Sequence, residues 1–222
     1  MPLLKDNERE ALRKEFSQKM VDDVRLIVFT QDVPCVFCSE TVQVARELGE
    51  VSPKIKVEVY DFVRDQMKAT ELRVDKIPAT AIVGRKDYGI RFYGMPSGYE
   101  FHSLVGAILD VSRGESGLSQ KSKDALRELD QPVHLQVFVT PTCPYCPSSV
   151  RLAHKLAVES DMVWADMVEA NEFVHLAQKH HLSGVPKTVI NDTFEVGGAV
   201  PEDILVAHVL HATHRIGPVQ PR

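Results

Sequence analysis

Hydrophobic and polar positions follow two periods along the chain, and those periods come in the same order in each half. An amphipathic segment comes first: Leu12, Phe16 and Met20 recur every four residues, and Ala125, Leu126 and Leu129 form its counterpart. The β-rich runs VRLIVFT and VHLQVFV follow, at 24–30 and 133–139. Helical periodicity then returns with Val44, Leu48 and Val51, and with Leu152, Leu156 and Val158. KIKVEVYDF and MVWADMV predict strands, and the stretches near 65–73 and 170–181 predict helices. PATAIVG and PKTVIN predict short apolar strands, each followed by a second strand (90–93 and 193–196) and a closing helix (about 99–112 and 201–212). This order makes each half α/β with a mixed sheet.

The parallel between the halves is a repeat in register. Cys35 and Cys143 are 108 positions apart, as are Cys38 and Cys146, and as are Pro78 of KIPAT and Pro186 of GVPKT. LIVFTQDVPC matches LQVFVTPTC with one residue fewer, and EALRKEF echoes DALRELD. The chain therefore reads as a tandem duplication. The Gly/Ser-rich stretch SRGESGLSQKS places the boundary near 114–121, giving units 1–116 and 117–222.

Composition narrows the function. A chain of 222 residues can hold one large domain or two smaller ones. Its net charge of −5 is interspersed, with neither a basic footprint for nucleic acid nor a polybasic membrane patch. No apolar run approaches the roughly 20 residues of a membrane span, and MPLLKDNEREALRKEF lacks the apolar core of a secretory signal. The expected setting is the cytoplasm, where close cysteine pairs serve chemistry or metal binding more often than stapling.

All four cysteines fall in two C-x-x-C pairs, PCVFCSE and TCPYCPSS. Each pair follows a predicted strand and opens a predicted helix, so the first cysteine is expected at the N-cap. There the free N–H groups and the helix dipole favour thiolate, with pKa values of roughly 3.5 to 7.5 for such motifs. A thiolate in that place attacks a disulfide, and the cysteine three residues on resolves the mixed disulfide. Pro144 suits the first helical position. Asp32 stands three residues before Cys35, whereas the flank of Cys143 is uncharged, so Cys143 is expected to ionise more readily. Zinc modules usually separate their pairs by about 15 to 20 residues. Here over a hundred residues intervene, so the redox reading is preferred to metal. His208, His211 and His214 are read as surface or packing histidines.

A strand, a C-x-x-C helix and an [IV]-P-[AK]-T strand 43 residues beyond the first cysteine resemble the thioredoxin fold, and CPYC is the motif of glutaredoxins. Two such units in one chain resemble the protein disulfide oxidoreductases of thermophilic archaea and bacteria, over nearly the whole length. The resemblance implies two tandem thioredoxin-fold (glutaredoxin-like) domains, each a central mixed sheet flanked by helices. It makes Cys35 and Cys143 the attacking and Cys38 and Cys146 the resolving residues. It implies cis bonds before Pro78 and Pro186, with the backbone of Ile77 and Val185 pairing with an extended client segment. Disulfide-containing client proteins and a flavoprotein thioredoxin reductase as electron donor are the implied partners. Neither cofactor nor metal is expected. Two alternatives belong to the same chemistry: an electron relay between a flavoprotein reductase and a peroxiredoxin, and a glutathione-linked glutaredoxin. Against the thioredoxin pattern, LIVFT and LQVFV carry no acid, so water or another group must move the proton. GGAVPED at 197–203 partly echoes the glutathione-holding turn of glutaredoxins, but no lysine precedes CPYC.

Overall fold

The computed structural model describes residues 2–32 and 34–215, and the side chains of His214 and Arg215 lie outside that description. Within it run eight helices and eight strands: α1 (Asp6–Lys19), β1 (Val24–Thr30), α2 (Cys38–Val51), β2 (Ile55–Asp61), α3 (Gln66–Glu71), β3 (Ala79–Val83), β4 (Asp87–Tyr93), α4 (Glu100–Arg113), α5 (Gln120–Leu126), β5 (Val133–Val139), α6 (Cys146–Glu159), β6 (Val163–Glu169), α7 (Val174–Lys179), β7 (Lys187–Ile190), β8 (Phe194–Gly197) and α8 (Glu202–Arg215). Every segment anticipated from periodicity is present. Among the described residues no helix is long and apolar enough to cross a membrane.

The strands form one sheet, in the order β2-β1-β3-β4-β6-β5-β7-β8. Each half contributes four strands in the same internal order, and the halves join where β4 runs parallel to β6, from Ile90 opposite Ala165 to Tyr93 opposite Val168. The sequence reading had a sheet for each half; the structure merges them into one. The join is head to tail, because β6 is the repeat counterpart of β2, and it leaves β2 and β8 as the outer edges. A head-to-tail contact can propagate into open filaments. Here β8 is only four residues long and β2 carries Lys56 and Glu58, both features that discourage further strand pairing.

Strand alternation sorts the core into two layers. Leu26 and Val28 face the larger cluster, with Phe16, Leu48, Ile108, Val150 and Val209 from the helices, while Ile27 and Phe29 face the smaller one with Ala69, Leu72 and Phe173. The N-terminus is tied down by Glu47 of α2, whose two carboxylate oxygens accept the N–H groups of Leu3 and Leu4, each at 2.8 Å. Burial pushes this carboxyl up, but those donors, with Gln43 and Arg9, outweigh it and hold Glu47 at about 2. Gly94 (φ +92°) makes the seam possible at its end, since a Cβ there would lie 2.7 Å from Glu169 Cβ.

Candidate functional site

β1, β2, β4, β5 and β6 all point the same way, so Cys35 after β1 and Cys143 after β5 leave the sheet along one edge. Three strands lie between β1 and β5, which at about 4.8 Å per step separates the two cysteine loops by roughly 19 Å. Each pair is bridged within itself, Cys35–Cys38 and Cys143–Cys146, with Cα atoms 5.5 Å apart in both. The four sulfurs are therefore two separate centres. Among the described residues no group of three or more His, Cys, Asp or Glu side chains could hold a metal ion. His208 and His211 pack against the Phe194 ring, and the side chain of His214 lies outside the described residues.

The helices begin later than the sequence reading placed them. Phe37 and Tyr145 are the N-cap residues, and α2 and α6 start at Cys38 and Cys146, so the first cysteine of each pair sits in the turn ahead of the helix. A tight turn over residues 36–37 and 144–145 accounts for the shift. Pro147 is thus the second helical residue, one of the positions whose N–H has no partner in the helix, and costs no backbone bond. The expected contact to sulfur survives at one centre: the Cys146 N–H donates to Cys143 Sγ at 3.1 Å. Among the described residues no such bond reaches Cys35. Cys143, Cys146 and Cys38 are buried and Cys35 is half-buried, while Val36 and Tyr145 beside them are 79% and 70% exposed.

The bonds Ile77–Pro78 and Val185–Pro186 are both cis. Ile77 and Pro78 wall a cleft of about 290 Å³ with Pro34, Cys35, Val36 and Phe37, and its far side is formed by Asn171 and Glu172 of the other half. In the second centre Val185 packs against the cluster that contains Cys143 and Cys146. Pro186 precedes β7, whose Lys187 and Thr188 pair with Phe138 and Val137 of the strand leading to CPYC.

Asp32, expected to oppose ionisation of Cys35, has a partner of its own. Its carboxylate is ion-paired with Arg64 at 2.6 Å in solvent, so the charge offered to Cys35 is locally offset. The asymmetry expected between the centres rests on the donor at Cys143 Sγ, which has no counterpart at Cys35 among the described residues. We expect the reduced Cys143 to be alkylated by iodoacetamide about tenfold faster than Cys35 at pH 6, measured by peptide mass on single-centre variants. Equal rates would refute the asymmetry.

Two carboxyls at the join were not foreseen. Glu100, 2% exposed in the first turn of α4, has no hydrogen-bond partner on either oxygen among the described residues. Burial raises it to about 7, against a partial offset from Ser103. Tyr99, next to it, donates its N–H to Pro141 O at 3.1 Å and so ties the start of α4 to the loop entering CPYC. Glu172 is also at about 7: burial raises it, the Met95 N–H opposes, and the Glu169 and Glu40 carboxylates add to the rise. Glu202, the acid of GGAVPED, accepts the Ser119 N–H at 2.9 Å and is engaged with α5.

The crystal structure of a protein disulfide oxidoreductase from Aeropyrum pernix superimposes with a TM-score of 0.89 at 30% identity, covering 98% of this chain and 97% of that one. This chain belongs to the protein disulfide oxidoreductase family. The thioredoxin-domain family model matches residues 133–211, within the second repeat. The NTD_N/C domain of an alkylhydroperoxide reductase from Enterococcus faecalis shares the fold, with a TM-score of 0.86 at 23% identity over 93% of this chain and 99% of that one. An alkyl hydroperoxide reductase from Staphylococcus epidermidis is 27% identical over 169 residues, 75% of this chain and 31% of the relative. The chain spans about three-tenths of the length of the curated relatives it matches.

Proposed function

We propose that this chain exchanges thiols and disulfides with client proteins at two centres, one in each unit, 1–116 and 117–222. One observation carries the reading: in each half a bridged C-x-x-C pair ahead of a helix accompanies a cis X-Pro bond that opens a strand of the same sheet. In the reducing direction the Cys35 or Cys143 thiolate attacks a client disulfide and forms a mixed disulfide, and one client thiol leaves. The Cys38 or Cys146 thiolate then attacks the first cysteine's sulfur, closes the bridge and frees the second client thiol. The extended backbone at Ile77 and Val185 pairs with the client segment, giving affinity with little sequence preference.

A flavoprotein reductase is the proposed electron donor and the cytoplasm the proposed setting. A peroxiredoxin as acceptor is a second reading, favoured by the similarity to the staphylococcal alkyl hydroperoxide reductase over three quarters of the chain. The reading is tested by equilibrating the protein in dithiothreitol buffers, quenching with an alkylating reagent and locating bridges by peptide mass. Reversible Cys35–Cys38 and Cys143–Cys146 bridges at about −180 to −300 mV are expected. Pairs that never re-form after reduction, or that release zinc, would overturn it.

A further inference from the structure

The cleft at Cys35 is built by both halves. Its near walls are Cys35, Ile77 and Pro78, and Glu172 reaches it from the loop between β6 and α7. That carboxyl is held in place. Glu172 Oε1 accepts the Met95 N–H at 2.7 Å, from the segment that follows β4. Gly94 leaves the room, since a Cβ there would lie 3.0 Å from Glu172 Oε1. The Glu172 N–H donates to Glu169 Oε2 at 2.7 Å and Asn171 Nδ2 to Glu169 Oε1 at 2.8 Å, so each oxygen of Glu169 has a donor. Glu172 Oε2, by contrast, is buried without a partner. The charged groups facing it are Glu169 on its own segment and Glu40 on α2, both anionic, with no cation among the groups that act on it. A carboxyl so surrounded favours its neutral form.

We propose that Glu172, supplied by the C-terminal half, is the proton donor and acceptor for Cys35 in the CVFC centre of the N-terminal half. The proposal rests on the thiol–disulfide reading above. In the reduced protein the two groups share one proton, with Cys35 as thiolate and Glu172 as acid in the reactive form. When Cys35 Sγ bonds to one client sulfur, the client S–S bond breaks, and the leaving thiolate takes the proton of Glu172 to depart as a thiol. The Cys38 thiolate then displaces the second client sulfur, which leaves with the proton that Cys38 lost. Two protons and two electrons have passed to the client, and Cys35–Cys38 is oxidised. The strand before CVFC carries no acid, and the partner half fills that role.

The test uses full-length chains with CPYC silenced (Cys143→Ser/Cys146→Ser), prereduced and mixed with a disulfide client across pH 5 to 9. Adding Glu172→Gln, which keeps an oxygen for the Met95 N–H, is expected to slow client reduction on the order of a hundredfold. It is also expected to remove an inflection near pH 7 from the rate profile. A rate within twofold and an unchanged profile would overturn the assignment. In the complementary Cys35→Ser/Cys38→Ser chain the same substitution is expected to change the CPYC rate less than twofold, and equal losses at both centres would also overturn it. Should Glu172→Gln not fold, Glu172→Asp keeps the acid one methylene short; it is expected to retain the inflection at a reduced rate, and an undiminished rate refutes the role. Failure of the CPYC-silenced parent to reduce any client would instead sink the thiol–disulfide reading of CVFC.

Discussion

The Cys35→Ser/Cys143→Ser chain is expected to fold and to reduce a disulfide client a thousandfold or more slowly than the parent, on the order of what loss of a covalent nucleophile costs. Serine replaces sulfur with a smaller atom of nearly the same shape, at a half-buried Cys35 and a buried Cys143, so the cost to the fold is a small void and one buried hydroxyl. The single variants carry the sharper information. With cysteine loops roughly 19 Å apart across three strands, one centre cannot resolve a mixed disulfide formed at the other without large movement. Each single variant should therefore retain the rate of its surviving centre, and the two residual rates should sum to the parent rate. A residual above a tenth in the double variant would show that Cys38 or Cys146 attacks directly. A single variant as inactive as the double would show that the centres work in series.

The repeat made most of the fold legible from sequence. The 108-residue offset fixed two copies of one unit, and strands as apolar on both faces as Leu26–Phe29 marked the sheet's interior. How the copies meet was written in a contrast that the repeat itself obscures. β2 and β6 occupy the same place in their units, yet Glu58 is half-exposed at an edge and its counterpart Asp166 is buried at the seam, 2.6 Å from His134 Nε2. KIKVEVYDF alternates as an edge strand does, whereas MVWADMV is apolar enough to be covered on both faces. The cysteines and the two prolines announced themselves by type and spacing. Glu100 and Glu172 could not: Glu172 is held by Met95 of the other half, Glu100 follows the Tyr99 contact that crosses the join, and no periodicity within a unit points across it. The helix starts slipped by two residues because a C-x-x-C turn ahead of the helix looks, in sequence, like the helix's own first turn.

Glu100 should leave a mark on stability that depends on pH. Its carboxyl is neutral in the fold up to about 7, whereas in the unfolded chain it ionises near its ordinary value of 4.5. Between those limits the folded state holds a proton that the unfolded state has released, so stability falls as pH rises through the window and levels off above it. At about 1.4 kcal/mol per unit, the full cost is about 3 kcal/mol. Glu100→Gln cannot ionise and escapes that cost. Its amide is still buried without a partner, a penalty present at every pH, so the measurement that counts is the difference between two pH values. Relative to the parent, the variant should gain about 3 kcal/mol between pH 4.5 and pH 8, a relative rise in Tm of roughly 6 to 12 °C for a chain of this size. Glu172 adds a decline of the same sign over the same window in both proteins and cancels from the comparison. Thermal unfolding by circular dichroism at the two pH values decides it. A Tm difference that does not move with pH would mean that Glu100 is already ionised in the fold, with water or a shifted side chain satisfying its oxygens. A difference that grows as expected would mean that the chain keeps a neutral acid at the start of α4, one residue from the Tyr99 contact to the CPYC loop, at a measurable cost in stability.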